Sequence, residues 1–244
     1  PPPPPPPRHP TTGDLVSATF VPAPVNADPL SLPALAAHAL RRPGARRSLS
    51  VLSVVLFLAG IAMFAYPVGT DAFARYQQNR LSHGFGSSRL QLAYRTHSVP
   101  VGGALTRLQI PRIGLDVLVV EGTTPGALRA GAGHYVGSPL PGEVGNVGIA
   151  GHRTTFGRPF NHLDEVKPGD EAILETPFSR FTYRAVAPFD GHANPWVVTP
   201  TDVSVLRQST GHELTFTTCN PKGSASQRMV LRLELVSSQP LPYR

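Results

Sequence analysis

HELTFTTC (residues 212–219), NPKGSASQ (220–227) and RMVLRLEL (228–235) follow one another without a break, and their order decides the fold. The first run is rich in Thr, Phe and Leu and reads as a strand. Asn220-Pro221 ends it, because proline has no N–H to give a ladder and sits poorly inside a sheet. The third run alternates, with Met229, Leu231, Leu233 and Leu235 set against Arg228, Arg232 and Glu234, so one side faces a core. Two strands joined by such a loop form an antiparallel pair. Working back along the chain, LTRLQI, DVLVV, NVGIAGH, EAILET and RFTYRAV are further short β-type runs separated by turn residues. From about Ala104 to Val236 the chain therefore predicts an all-β barrel or sandwich.

Before this region the character changes. Residues 71–103 are mixed and polar, with Gly84, Gly86, Ser87 and Ser88 marking flexibility. They read as a stalk opening with a short helix from Asp71 to Arg80. Ser48 to Thr70 holds no charged residue and is dominated by Leu, Val, Ile, Phe and Ala. A bilayer needs about 20 apolar residues at about 1.5 Å rise each, and no polar stripe of the kind a core helix carries is evident. Arg41, Arg42, Arg46 and Arg47 precede the run and Asp71 follows it, which sets the N-terminus inside and everything after residue 70 outside the cell. A cleaved signal peptide is the competing reading. The apolar run is long for one, and Ala-Tyr-Pro-Val-Gly is a poor small-x-small cleavage site.

Thirteen of the 28 prolines lie before Ser48. Residues 1–47 therefore read as a disordered cytoplasmic tail, since such a stretch buries too little apolar surface to offset the entropy of ordering. The sequence begins without Met, so a longer tail is expected. Residues 237–244 read as a short C-terminal tail.

The formal charge of +7 first suggests nucleic acid, but no Lys/Arg stripe interleaved with aromatics accompanies it. The sharpest basic cluster abuts the apolar run and points to a membrane instead. With one cysteine, Cys219, no internal disulfide can form, and an unpaired thiol in an exported domain suggests a reactive one.

Three residues carry the chemistry. Cys219 ends a strand at the mouth of a loop, Arg228 opens the next strand, and His152 ends the run NVGIAGH. A thiolate is the attacking species, and free cysteine titrates near about 8.5, so a neighbouring cation is needed for ionisation near neutral pH. Arg228 or protonated His152 can supply it. His152 suits a general acid or base; Arg228 stays charged and suits an oxyanion or a substrate carbonyl. Taken singly, each has a duller reading as a packed thiol, a strand-end histidine or a solvated edge charge. His134, His162, His192 and His212 lack cysteine partners and tight spacing, which argues against zinc. Asp164, Glu165 and Asp170 flank Pro168-Gly169 and read as a polar turn. The segment NPWVVTP around Trp196 reads as a loop anchor.

The segments GNVGIAGHRTTFGRPFNHLDEVKPGDEAILET and LTFTTCNPKGSASQRMVLRLEL closely resemble the sortase family, with its TLxTC strand, downstream arginine and upstream histidine. What the resemblance implies is an eight-stranded sortase-type β-barrel with short helices and loops over residues 104–236, preceded by one transmembrane helix over 48–70. It implies a membrane-bound cysteine transpeptidase in which Cys219 attacks the Thr-Gly carbonyl of an LPxTG- or LAxTG-type sorting signal. His152 would protonate the departing amine, Arg228 would steady substrate and oxyanion, and Thr217 and Thr218 would help build the substrate groove. The expected partners are surface proteins bearing the signal, an acceptor amine on a peptidoglycan precursor or a pilin lysine, and membrane lipid through the anchor. No metal or organic cofactor is implied, and no nucleic acid. The run AGAGHYVGSPLPGEVGNVGIAGHRTTFG resembles class E sortases of actinobacteria, in which a tyrosine of the GHY segment goes with LAxTG preference; Tyr135 holds that position. The pattern departs at Phe216, where Leu is usual, and at Phe156, where Tyr is common. An L,D-transpeptidase would carry a Ser-His-Gly-Cys stretch, which is absent, and a silent peptide-binding barrel would not need the Cys, His and Arg together. No Asp-Pro-aromatic lid motif occurs in residues 71–103, which favours wall anchoring over pilus polymerisation.

Overall fold

The computed structural model of the chain describes residues 43–187 and 191–242. The tail expected over residues 1–47 lies outside the described residues as far as 42, and residues 43–47 are helical. Two units divide the chain at Leu58 and Ala59. What is described of the first is the N-terminal part of a helix, α1 (Pro43–Ser82). Its side chains from Leu49 to Leu58 are exposed, as an apolar surface suited to lipid would be. The helix carries one window long and apolar enough to cross a bilayer, and none of that window is buried.

The second unit holds the rest of α1 and a β-structure. Pro67 lies within α1, where it contributes no N–H, and the Thr70 hydroxyl donates to the Pro67 carbonyl at 2.9 Å. The short helix expected from Asp71 is the direct continuation of α1. It leaves the apolar run without a break and is pinned along its polar face. The Gln78 amide donates to the carbonyls of Leu118 and Ala130 at 2.9 and 2.8 Å and accepts from the Leu118 N–H at 2.7 Å. A second helix, α2 (Ser88–Arg95), is capped by Ser87 and buries Leu90 and Tyr94. Residues that read as a flexible stalk are thus partly packed.

The strands are β1 (Ala104–Ile110), β2 (Leu115–Glu121), β3 (Gly133–His134), β4 (Gly145–Ala150), β5 (Glu171–Glu175), β6 (Ser179–Ala185), β7 (Trp196–Val198), β8 (His212–Asn220) and β9 (Gln227–Pro240), with α3 (Pro125–Ala130) between β2 and β3. Hydrogen bonding runs β6-β5-β1-β2-β3-β4-β8-β9 and returns from β9 to β6, closing an eight-stranded barrel; β7 is added on the free side of β9. Closure removes open edges. The pairs β2–β3 and β4–β8 are parallel and the others antiparallel. The interior is filled by alternate residues, among them Leu108, Val119, Ile149, Leu214, Phe216, Leu231 and Leu233. Phe160 closes over Phe216 at 5.2 Å between ring centroids.

Candidate active site

Three adjacent strands, β4, β8 and β9, carry the expected residues or end beside them. In the antiparallel pair β8–β9, Cys219 stands directly opposite Arg228. In the parallel pair β4–β8, Ala150 is level with Thr217. The chain continues past the end of β4 in the same register: the Gly151 N–H donates to the Thr217 carbonyl at 3.1 Å, and the Thr218 hydroxyl donates to the Gly151 carbonyl at 2.8 Å. Two residues beyond Ala150 is His152, two beyond Thr217 is Cys219. Cys219 and Arg228 are thus cross-strand neighbours, and His152 follows just past the end of β4, on the other side of β8.

The pleat sets the face. Leu214, Phe216, Met229 and Leu231 belong to the interior, so the alternating positions Cys219 and Arg228 share the outer side. Phe216 thus fills the barrel core, as the leucine usual there would. Cys219 and Arg228 are half-buried. The Arg228 guanidinium donates through one terminal nitrogen to the carbonyls of Ala225 and Gln227 at 2.9 and 3.0 Å, which ties it to the loop after Cys219. His152 is half-buried, with the Phe156 ring 5.4 Å from its own. Burial first, and then the positive charge of Arg129, hold its imidazole below the ordinary value near 6.5.

Tyr135 and Thr217 meet on that same face, hydroxyl to hydroxyl at 2.9 Å. Tyr135 reaches over β4 because position 148 is glycine: a Cβ there would stand 2.8 Å from the Tyr135 ring and 2.9 Å from Leu206. Thr218 points the other way and is buried, its hydroxyl committed to β4. It fastens β8 to β4 and is not free to touch a substrate.

Residues outside the expected set complete the site. Arg153 is 4% exposed; it donates to the Cys219 carbonyl at 3.3 Å and the Asn220 side-chain oxygen at 2.7 Å, and pairs with Asp164 at 3.1 Å. It fixes the backbone that carries the thiol. The only advance signal is its place beside His152. A second network lies behind Tyr135. Glu121 contacts one His134 ring nitrogen at 2.8 Å, and the other meets the Ser138 hydroxyl at 2.8 Å. Ser138 is not a free nucleophile, for its hydroxyl donates to the Tyr135 carbonyl at 2.8 Å and accepts from the Gly148 N–H at 3.2 Å. The network braces the Tyr135 loop. The other histidines weighed for zinc are scattered: His162 pairs with Glu165, His192 stacks on Trp196, and His212 opens β8. Trp196 belongs to β7, beside β9.

The chain is similar to known proteins over this region. The sortase-domain family model matches residues 108–236. Sortase SrtE1 of Streptomyces coelicolor is 26% identical over 82% of this chain and 61% of its own length; sortase SrtE2 of the same organism is 28% identical over 82% of this chain and 87% of its own. The chain thus spans under two thirds of SrtE1. Among solved structures, sortase E1 from Streptomyces coelicolor with a tripeptide in its active site is similar at TM-score 0.51 and 30% identity, covering 57% of this chain and 91% of that one.

Proposed function

The chain belongs to the sortase family of cysteine transpeptidases, and from that premise we propose that it cleaves a C-terminal sorting signal of LPxTG or LAxTG type between Thr and Gly and passes the acyl group to an amine. The observation that carries this reading is Cys219 directly opposite Arg228 in the β8–β9 pair, with His152 just past the end of β4 on the other side of β8.

The Cys219 thiolate attacks the threonine carbonyl carbon, and the charge that develops on its oxygen is stabilised by Arg228. The C–N bond to glycine breaks as His152 delivers a proton to the leaving amine. The acyl group is then a thioester on Sγ. An acceptor amine attacks that carbonyl, His152 takes up its proton, and C–S cleavage returns the thiolate with a new amide formed. Burial and Arg129 favour the neutral imidazole, so once His152 has given up its proton it stays free to take one from the incoming amine.

Tyr135 and Thr217 line the wall beside the thiol and bind the signal residues preceding Thr; Thr218 shapes that wall from behind. A tripeptide in the active site of the similar sortase E1 supports peptide binding at this face. The acceptor is a peptidoglycan-precursor amine or a pilin lysine. The apolar helix supports a single-pass location in the cell membrane, with the N-terminus cytoplasmic and the barrel outside. Within this reading the domains are a tail to residue 47, an anchor over 48–70, a stalk over 71–103 and the catalytic unit over 104–236.

Mass spectrometry of the detergent-solubilised chain incubated with LAxTG and LPxTG peptides and a glycine amine tests it. Thr–Gly cleavage with amide transfer, abolished by Cys219→Ala, is expected. A folded protein that forms no acyl-enzyme with either peptide sinks the reading.

A further inference from the structure

The loop that follows His152 has an unusual backbone. Phe156, Gly157 and Arg158 all lie at positive φ, 50°, 76° and 49°. That region is natural for glycine and uncommon for Phe or Arg, at a cost of order 1–3 kcal/mol each, so it persists only where neighbours impose it.

The imposing neighbour is α1, in its first turn beyond the apolar run. One Asp71 carboxylate oxygen accepts from the Gly157 N–H at 3.0 Å and the other from the Arg158 guanidinium at 2.7 Å. Phe73 meets the Phe156 ring edge-on at 6.3 Å between centroids. A Cβ on Gly157 would lie 3.3 Å from the Ala74 methyl, so helix and loop touch closely. Phe156 in turn faces His152 on one side and has the Arg129 guanidinium 5.7 Å from its ring centroid. Contact is continuous from Asp71 and Phe73, through the loop, to the imidazole.

We propose that Asp71 and Phe73 are positioning residues for His152: the first turn of α1 beyond the apolar run holds the loop that aims the imidazole, so the anchoring helix forms part of the catalytic assembly. This rests on the proton-transfer role given to His152 above. Holding a catalytic group in place is worth much, since a misplacement of about 1 Å can cost about 100-fold in rate.

The test uses the full chain in detergent with an LAxTG peptide and a glycine amine, comparing Asp71→Ala, Asp71→Glu, Phe73→Ala, Gln78→Ala and His152→Ala. Asp71→Ala and Phe73→Ala are expected to lower kcat about 10- to 100-fold with KM for the peptide within about twofold, and Asp71→Glu to recover part of the loss. Gln78→Ala, which unpins α1 from β2 away from the site, lowers Tm but leaves kcat within about twofold. NMR of ring-labelled histidine gives a readout independent of turnover: the His152 resonance and its titration, set among Arg129, Asp71 and Arg158, shift in Asp71→Ala and not in Gln78→Ala. An Asp71→Ala enzyme with kcat within twofold of the parent and an unmoved His152 resonance overturns the proposal. Turnover retained in His152→Ala removes its premise instead, and so separates the two failures.

Discussion

Arg228 shows how much one planar side chain is asked to do. One of its terminal nitrogens is spent on the carbonyls of Ala225 and Gln227, leaving the other edge of the fork for the space beside Cys219. Lysine offers a point charge that cannot serve both. Arg228→Lys is therefore expected to lose more than about tenfold in kcat/KM, about 1.4 kcal/mol of transition-state stabilisation; near-normal turnover would strip Arg228 of its role. His152 gives a second residue-scale prediction. Its folded pKa lies below 6.5, from burial and then Arg129. Between these values the unfolded chain binds more protons than the folded one, so stability falls as pH drops from 6.5 through the folded value and the loss saturates below it. NMR titration in the Cys219→Ala background should find an apparent pKa under 6.5, and Arg129→Ala should raise it. A midpoint at or above 6.5 in the parent would refute the burial argument.

At the scale of the element, the site depends on how β4 is sewn to β8. The Thr218 hydroxyl reaches the buried Gly151 carbonyl, and a valine there keeps the shape while leaving that carbonyl unsatisfied. Thr218→Val should cost about 1–3 kcal/mol, read as a Tm lower by several degrees in thermal melts; an unchanged Tm would mean the bond is replaced without loss. The strands carrying the chemistry were legible because each is long enough to show its pattern: nine residues in β8 and fourteen in β9. The two-residue β3 and three-residue β7 were not, since so few residues display no alternation and owe their pairing to the strands beside them. The packing of residues 71–82 was not legible for a related reason. Their polar composition suggested a stalk, yet Asp71 and Gln78 are polar because they hydrogen-bond to a loop and a strand from 40 to 87 positions away in sequence.

The whole molecule joins a lipid-suited helix to a closed barrel. Its single cysteine makes the proposed topology easy to test. Cys219 is half-buried rather than enclosed, so a membrane-impermeant thiol reagent added to intact cells should label it, and Cys219→Ser should abolish labelling. Labelling only after lysis would put the barrel inside and defeat the proposed location. A second consequence concerns truncation. A soluble protein beginning after Ser82 lacks Asp71 and Gln78, and with them the contacts to Gly157, Arg158, Leu118 and Ala130. It should melt at lower temperature than a form retaining residues from Ala59, as calorimetry of the two would show.

By itself the sequence determined the apolar helix, the run of strands and the identity of the Cys, His and Arg, because periodicity, charge placement and residue chemistry are local properties that short segments carry on their face. Tertiary structure decided what depends on pairing across the chain: that the sheet closes from β9 onto β6, that the register of β8 and β9 sets Cys219 opposite Arg228 with His152 just past the end of β4 on the other side of β8, and that Arg153, the Glu121–His134–Ser138 network and Asp71 stand around them. Those partners are distant in sequence, and only the folded backbone brings a carboxylate at position 71 to the Gly157 amide and the Arg158 guanidinium.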